Sequence, residues 1–217
     1  MSMHAEISPR KSLYRQMFLL ILSLAICVSL VTVGCSRQEV RPVKDDTGMS
    51  LAEIREPDIY FVPTPQAVVD KMLEIAEVKK SDMVYDLGCG DGRIVVTAAK
   101  KYGCKGIGYD IDPERIVDSI ENVRKNRVSN LVKIEQKDIF TLDLRGATVI
   151  TLYLLPSLNV KLIPQLEQLP QGVRIVSHDF DMQGKVTPDQ SITLEADGQS
   201  HTINYWVTPL KRNPSSR

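Results

Sequence analysis

The sequence carries no surplus of charge in either direction: Lys plus Arg and Asp plus Glu each number 27. A nucleic-acid binder normally shows a basic surplus or patch, so no nucleic-acid partner is expected. Cysteine is scarce and poorly spaced for chemistry. Of the 4 in the chain, Cys27 lies in an apolar run and Cys35 just after it. Cys89 and Cys104 stand in no CxxC-type spacing, which argues against a disulfide framework and against a cysteine metal site. No internal repeat or low-complexity tract occurs, so a solenoid or a fibrous array is not expected. Only one apolar run approaches the length of a bilayer.

That run is MFLLILSLAICVSLVTVG, Met17 to Gly34, preceded by Arg10, Lys11 and Arg15. A basic flank, an apolar centre and small residues at the end describe an export signal. At about 18 residues it is also just long enough to span a membrane. Gly34-Cys35 resembles the end of a bacterial lipobox, although Thr32 and Val33 depart from its usual residues. A lipoprotein signal lipidated at Cys35, an uncleaved anchor and a cleaved signal all remain open. The basic bias before the run places the domain on the exported side of a membrane, with a cytosol-facing domain as the alternative. The chain divides into a signal or anchor (1–35), a polar tether (36–50) and one folded, monomeric domain (51–217).

Within the domain, strand and helix signals alternate. Thr64 is an expected N-cap for a helix through PQAVVDKMLEIAEV, with Pro65 at its first position. DMVYDL, KGIGYD, LVKIEQ, ATVITLYL and GVRIVSHD read as strands separated by helices, one of them capped by Asp112. Pro164 should bend or split the helix that follows the fourth strand. Two alternating runs around Asp197-Gly198 read as a hairpin. The pattern predicts an α/β fold: a Rossmann-like three-layer sandwich with a mostly parallel seven-stranded sheet and a C-terminal antiparallel hairpin.

The chemistry is concentrated in VYDLGCGDGRI, Val84 to Ile94. A glycine loop between strand and helix, with Asp110 ending the next strand, makes a nucleotide-binding unit. The dinucleotide fingerprint would need its third glycine at Arg93, whereas the glycines here are Gly88, Gly90 and Gly92. Asp86 and Asp91 would gain little beside a pyrophosphate and a good deal beside an ammonium or a sulfonium. Both spacing and charge therefore point away from NAD.

The stretch resembles motif I of the class I, seven-stranded S-adenosylmethionine (SAM) methyltransferases. GIGYDIDP resembles their acidic-loop motif and EQKDIF their adenine-holding motif. A narrower resemblance, carried by DIYFVPTPQAVVDKML, TLYLLPSLN and RIVSHDF, is to the subgroup of the mitochondrial ATP-synthase c-subunit lysine methyltransferase and the non-SET histone lysine methyltransferases. The resemblance implies SAM as cofactor and a protein lysine as acceptor. It implies that Asp86, Gly88, Cys89, Gly90 and Gly92 hold the methionine part. Asp110 would take the ribose hydroxyls, and Ile111, Asp138 and Ile139 the adenine. Tyr60 and Thr64 would cover the cofactor. Tyr153 and Thr151 would stand at the methyl group, with Pro156, Ser157, His178 and Asp179 on the acceptor side. No metal is expected, since no ligand cluster repeats near His178. A small-molecule acceptor, and a non-catalytic exported lipoprotein holding a nucleoside-like ligand, are the alternatives.

Overall fold

The computed structural model describes residues 60–214. The apolar run, Cys35, the tether and the start of the domain lie outside the described residues.

The chain enters through helix α1 (Gln66–Ile75), which buries Val68, Val69, Met72 and Leu73 at helical spacing. Its N-cap differs from expectation. Pro65, not Thr64, is the cap residue, and no side chain caps the helix. Thr64 Oγ1 lies instead 3.2 Å from His178 Nδ1, a partner 114 residues away. The Pro65 carbonyl accepts the first helical N–H groups, from Val68 and Val69, so the helix starts without the hydroxyl.

Strand β1 (Met83–Leu87) leads into α2 (Arg93–Tyr102), β2 (Lys105–Asp110) and α3 (Pro113–Lys125). Then come β3 (Val132–Gln136), a short 3-10 turn (Ile139–Thr141), β4 (Val149–Leu152), α4 (Pro156–Leu166) and β5 (Arg174–His178). The chain closes with β6 (Gln190–Ala196) and β7 (Gln199–Val207). Gly103 ends α2 in the left-handed conformation, and Asp112 Oδ1 accepts from Glu114 N–H at 2.8 Å to cap α3. Asp197 and Gly198 both have positive φ, as a two-residue hairpin turn requires. Pro164 does not split α4, which continues to Leu166. The proline falls in the last turn, and Leu162, Ile163 and Leu166 around it are buried, so packing holds the helix where one backbone bond is missing.

The sheet order is β3-β2-β1-β4-β5-β7-β6, parallel through β5, with β7 and β6 antiparallel. Alternate residues face opposite layers. Val84, Val149 and Val176 join α1 and α2 in one core, while Leu87, Ile150 and Ile175 join α4 and Trp206 in the other. The strand order reverses between β1 and β4, and a crevice at the carboxyl ends opens at such a switch point.

The opposite end of the sheet is closed by a polar clamp. Asp82, just before β1, accepts from Lys79 N–H at 2.6 Å, from Thr148 Oγ1 at 2.8 Å and from the guanidinium of Arg174. Arg174 also donates to the Ala76 carbonyl at 2.7 Å, which ties β5 to the end of α1.

Candidate active site

The carboxyl ends of β1, β2 and β4 border a cleft of about 470 Å³, within the ~300–1,000 Å³ usual for small-molecule sites. Its floor is the loop after β1. Gly90 has φ +55°, and a Cβ there would stand 2.2 Å from the Phe61 ring, so only glycine lets that ring close on the loop. Asp110 reaches back to the same loop from β2. Its Oδ2 accepts from Gly90 N–H at 2.8 Å and its Oδ1 from Asp112 N–H at 3.0 Å. A carboxylate offers about four acceptor directions, so these bonds fix the group and leave capacity for hydroxyls.

Asp86 lines the cleft although it is only 1% exposed. Thr151 Oγ1 donates to its Oδ1 at 2.6 Å, and its Oδ2 has no partner. Burial raises its pKa to about 7; the Thr151 bond pulls it down, and the charges of Asp110 and Asp91 push it up. A buried carboxylate oxygen lacking a donor calls for one, and an ammonium supplies it. Farther along, Ile111 and Ile139 offer apolar surface with Asp138 beside them. Asp138 Oδ1 accepts from Phe140 N–H at 2.9 Å, so this residue also starts the 3-10 turn. Burial lifts the Cys89 thiol well above its ordinary range, and the Asp86 and Asp110 charges add to that, which removes it as a nucleophile. These residues fit SAM: a donor-seeking carboxylate for its ammonium, a fixed carboxylate for its ribose, and an apolar slot for its base.

The remaining wall is apolar and aromatic, with Phe61, Tyr153, Leu154, Leu158 and Phe180 along it and Thr64 among them. The Tyr153 ring lies 3.9 Å from the His178 ring and 6.1 Å from that of Phe180. Burial, then the Asp179 charge, raises the Tyr153 phenol, so it stays protonated at neutral pH. Arg93 joins the wall to the loop: Nη1 donates to the Thr64 carbonyl at 2.7 Å, and Nη2 to Asp91 Oδ2 at 2.6 Å.

Several expected site residues stand elsewhere. Thr151 is fully buried and does not line the cleft. The parallel register sets it directly opposite Asp86, so it acts on that carboxylate rather than on an acceptor. Gly92 packs toward α3, where a Cβ would meet Ser119 Cβ at 3.0 Å, and it serves helix packing rather than the cleft. Pro156 and Ser157 open α4 outside the cleft lining, whereas Leu154, Leu155 and Leu158 line it. His178 is fully buried behind Tyr153, with Asp179 beside it, and neither lines the cleft. Burial pushes the His178 imidazole pKa down. Tyr60 sits at the rim, 96% exposed. The sequence reading missed Phe61, Phe140, Leu158 and Phe180, whose neighbours in the chain it had singled out. It also missed His201 on β7, 2.9 Å from His178, for which no local spacing gives a signal.

Residues 86–190 match the ANTKMT methyltransferase domain family. A protein-lysine N-methyltransferase of Saccharolobus islandicus is 44% identical over 153 residues, covering 70% of this chain and 94% of that protein. The adenine nucleotide translocase lysine N-methyltransferase of Mus musculus is 29% identical, covering 73% of this chain and 72% of that one. Among solved structures, an RNA methyltransferase from Salinibacter ruber in complex with S-adenosyl-L-homocysteine is 47% identical. It superposes with a TM-score of 0.64 over 70% of this chain and 97% of that one.

Proposed function

The chain belongs to the family of SAM-dependent protein-lysine N-methyltransferases, and on that premise we propose that it methylates the ε-amine of a lysine presented by a protein at the Tyr153 side of the cleft. The observation that carries this reading is the pairing of two unlike ends in one crevice. One end has a donor-seeking buried carboxylate, Asp86, and the other an aromatic wall with no charged nucleophile.

SAM supplies a methyl group already activated on a sulfonium, so the protein's work is alignment and exclusion of water. Asp86 holds the ammonium, kept in place by Thr151. Asp110 holds the ribose hydroxyls while bracing Gly90. Asp138, Ile111 and Ile139 hold the base. The lysine ammonium gives its proton to solvent before it docks, and Tyr153, which remains a phenol, accepts a hydrogen bond from the neutral amine. Phe61 and Phe180 cover the reacting centre with apolar surface.

A nucleic-acid acceptor fits the cleft less well. The cationic groups at its edge are already paired: Lys137 with Glu135 at 2.7 Å and Arg115 with Asp118 at 2.7 Å. Neither is spare for phosphate, and the net charge of zero supplies no attraction over distance. We take the enzyme to work as a monomer, and the apolar segment 17–34 supports a further part of the proposal, that it is tethered to a membrane by its N-terminus. No helix among the described residues is long and apolar enough to cross one.

Calorimetry on the full chain in mild detergent tests the site. SAM should bind, and Asp110→Ala should weaken it about 100-fold, since charge-assisted bonds to the ribose and the bracing of Gly90 are lost together. Absence of heat from the wild type contradicts the reading.

A further inference from the structure

The chain contains 3 histidines, and two of them meet at the carboxyl end of β5. His178 ends that strand, and the antiparallel pairing of β7 brings His201 beside it. Asp179 follows at once, with φ +56°, a left-handed backbone that aspartate tolerates better than most residues. The three side chains converge on one point. His178 Nε2 and His201 Nδ1 are 2.9 Å apart, and Asp179 Oδ2 lies 3.3 Å from the first and 3.4 Å from the second.

We propose that His178, Asp179 and His201 form a three-ligand site for a divalent first-row transition ion, with zinc as the reference ion. Zinc binds imidazole and carboxylate at about 2.0–2.2 Å, and ligands around such an ion stand about 3–3.5 Å from one another. The two edges to the carboxylate agree with that spacing, and the 2.9 Å edge between the two nitrogens would open slightly around an ion. Without an ion the two rings share an N–H···N hydrogen bond at 2.9 Å, while the carboxylate is nearly equidistant from both nitrogens and beyond the ~2.7–2.9 Å of a charge-assisted bond, so hydrogen bonding alone does not account for its position. Two of the three outer atoms are also engaged as a metal site requires. Thr64 Oγ1 lies 3.2 Å from His178 Nδ1, and in the tautomer the proposal needs it would accept the N–H of that nitrogen and turn the Nε2 lone pair inward. Asp179 Oδ1 accepts from Thr202 N–H at 2.9 Å, which turns Oδ2 inward. With His201 protonated on Nε2, which has no partner, its Nδ1 lone pair completes the set. Two histidines and a carboxylate suit zinc or iron(II) and leave an open position. The Asp179 side chain, 27% accessible, gives the ion a way in.

None of the three residues lines the SAM cleft, although His178 packs against Tyr153, which does. The site's place suggests its work: the ion would lock β5 to β7 and hold the His178 ring on which Tyr153 packs.

The test uses the full chain without a histidine tag, in detergent, stripped with a chelator and titrated with Zn²⁺ by calorimetry and with Co²⁺ by visible absorption. One ion per chain is expected. His201→Gln and Asp179→Asn should each weaken binding at least about 100-fold, and Thr64→Val about 10–100-fold, as outer partners do. His4→Ala should change nothing. Metal-free thermal unfolding reports whether each variant is folded, and SAM binding does so as well for His201→Gln and Asp179→Asn. A folded wild type that takes up no Zn²⁺ or Co²⁺ overturns the proposal, as does a folded His201→Gln that binds as tightly as the wild type.

Discussion

Asp86 carries two opposing demands. As an aspartate with pKa raised to about 7 by burial, it favours the folded state when protonated. Its unfolded value is near 3.8, so its contribution to stability is fully present below pH 4 and is lost as pH rises toward 7. Cofactor binding runs the other way, because only the carboxylate accepts the ammonium. SAM affinity should therefore fall about tenfold per pH unit below 7, while the unliganded protein gains stability from this group. Asp86→Asn should abolish both trends and weaken SAM by about 100-fold, and calorimetry and thermal unfolding at several pH values read the two effects separately. Thr151→Val should weaken SAM through Asp86, by about tenfold. Asp86, Asp110 and Asp138 were legible in the sequence because each belongs to a short motif at a strand end. Thr151 was visible but misassigned, since its duty depends on the register of β4 against β1. His201 was not legible at all, because only the closing hairpin brings it to His178.

Elements show the same division between local and distant causes. The strands, the glycine loop, the Asp112 cap and the hairpin turn all follow from residues a few positions apart, and the structure contains each of them. The missing Thr64 cap and the unbroken α4 depend on contacts with other elements. Gly92 illustrates both kinds: its φ of +72° ends the loop, and its lack of a side chain admits Ser119 of α3. Gly92→Val should cost about 2–4 kcal/mol in urea unfolding, from left-handed strain and from displacement of α3. The clamp at the other end of the sheet predicts a separable effect. Burial alone would raise the Asp82 pKa, but bonds from Lys79 N–H, Thr148 and Arg174 together bring it below the ordinary value. That stability is present above the ordinary carboxylate pKa and is lost as pH falls through the depressed folded value. Arg174→Leu should cost about 2–3 kcal/mol at neutral pH by leaving a buried carboxylate short of its partner. SAM affinity should change less than twofold, since the clamp lies at the end of the strands away from the cleft.

At the scale of the molecule, one sheet separates stability from chemistry, with the clamp below and the methyl-transfer cleft above. Relatives named for lysine and for RNA methylation share this fold, so the fold alone leaves the acceptor open. Paired cations at the rim and an aromatic wall favour the amine. The most direct measurement gives the full chain SAM carrying a labelled methyl group, together with a total extract of cell proteins and nucleic acids. After hydrolysis, the label should be recovered as methylated lysine, and Asp86→Asn should reduce it at least about 100-fold. Label recovered in nucleosides, or incorporated equally by wild type and Asp86→Asn, would contradict the account.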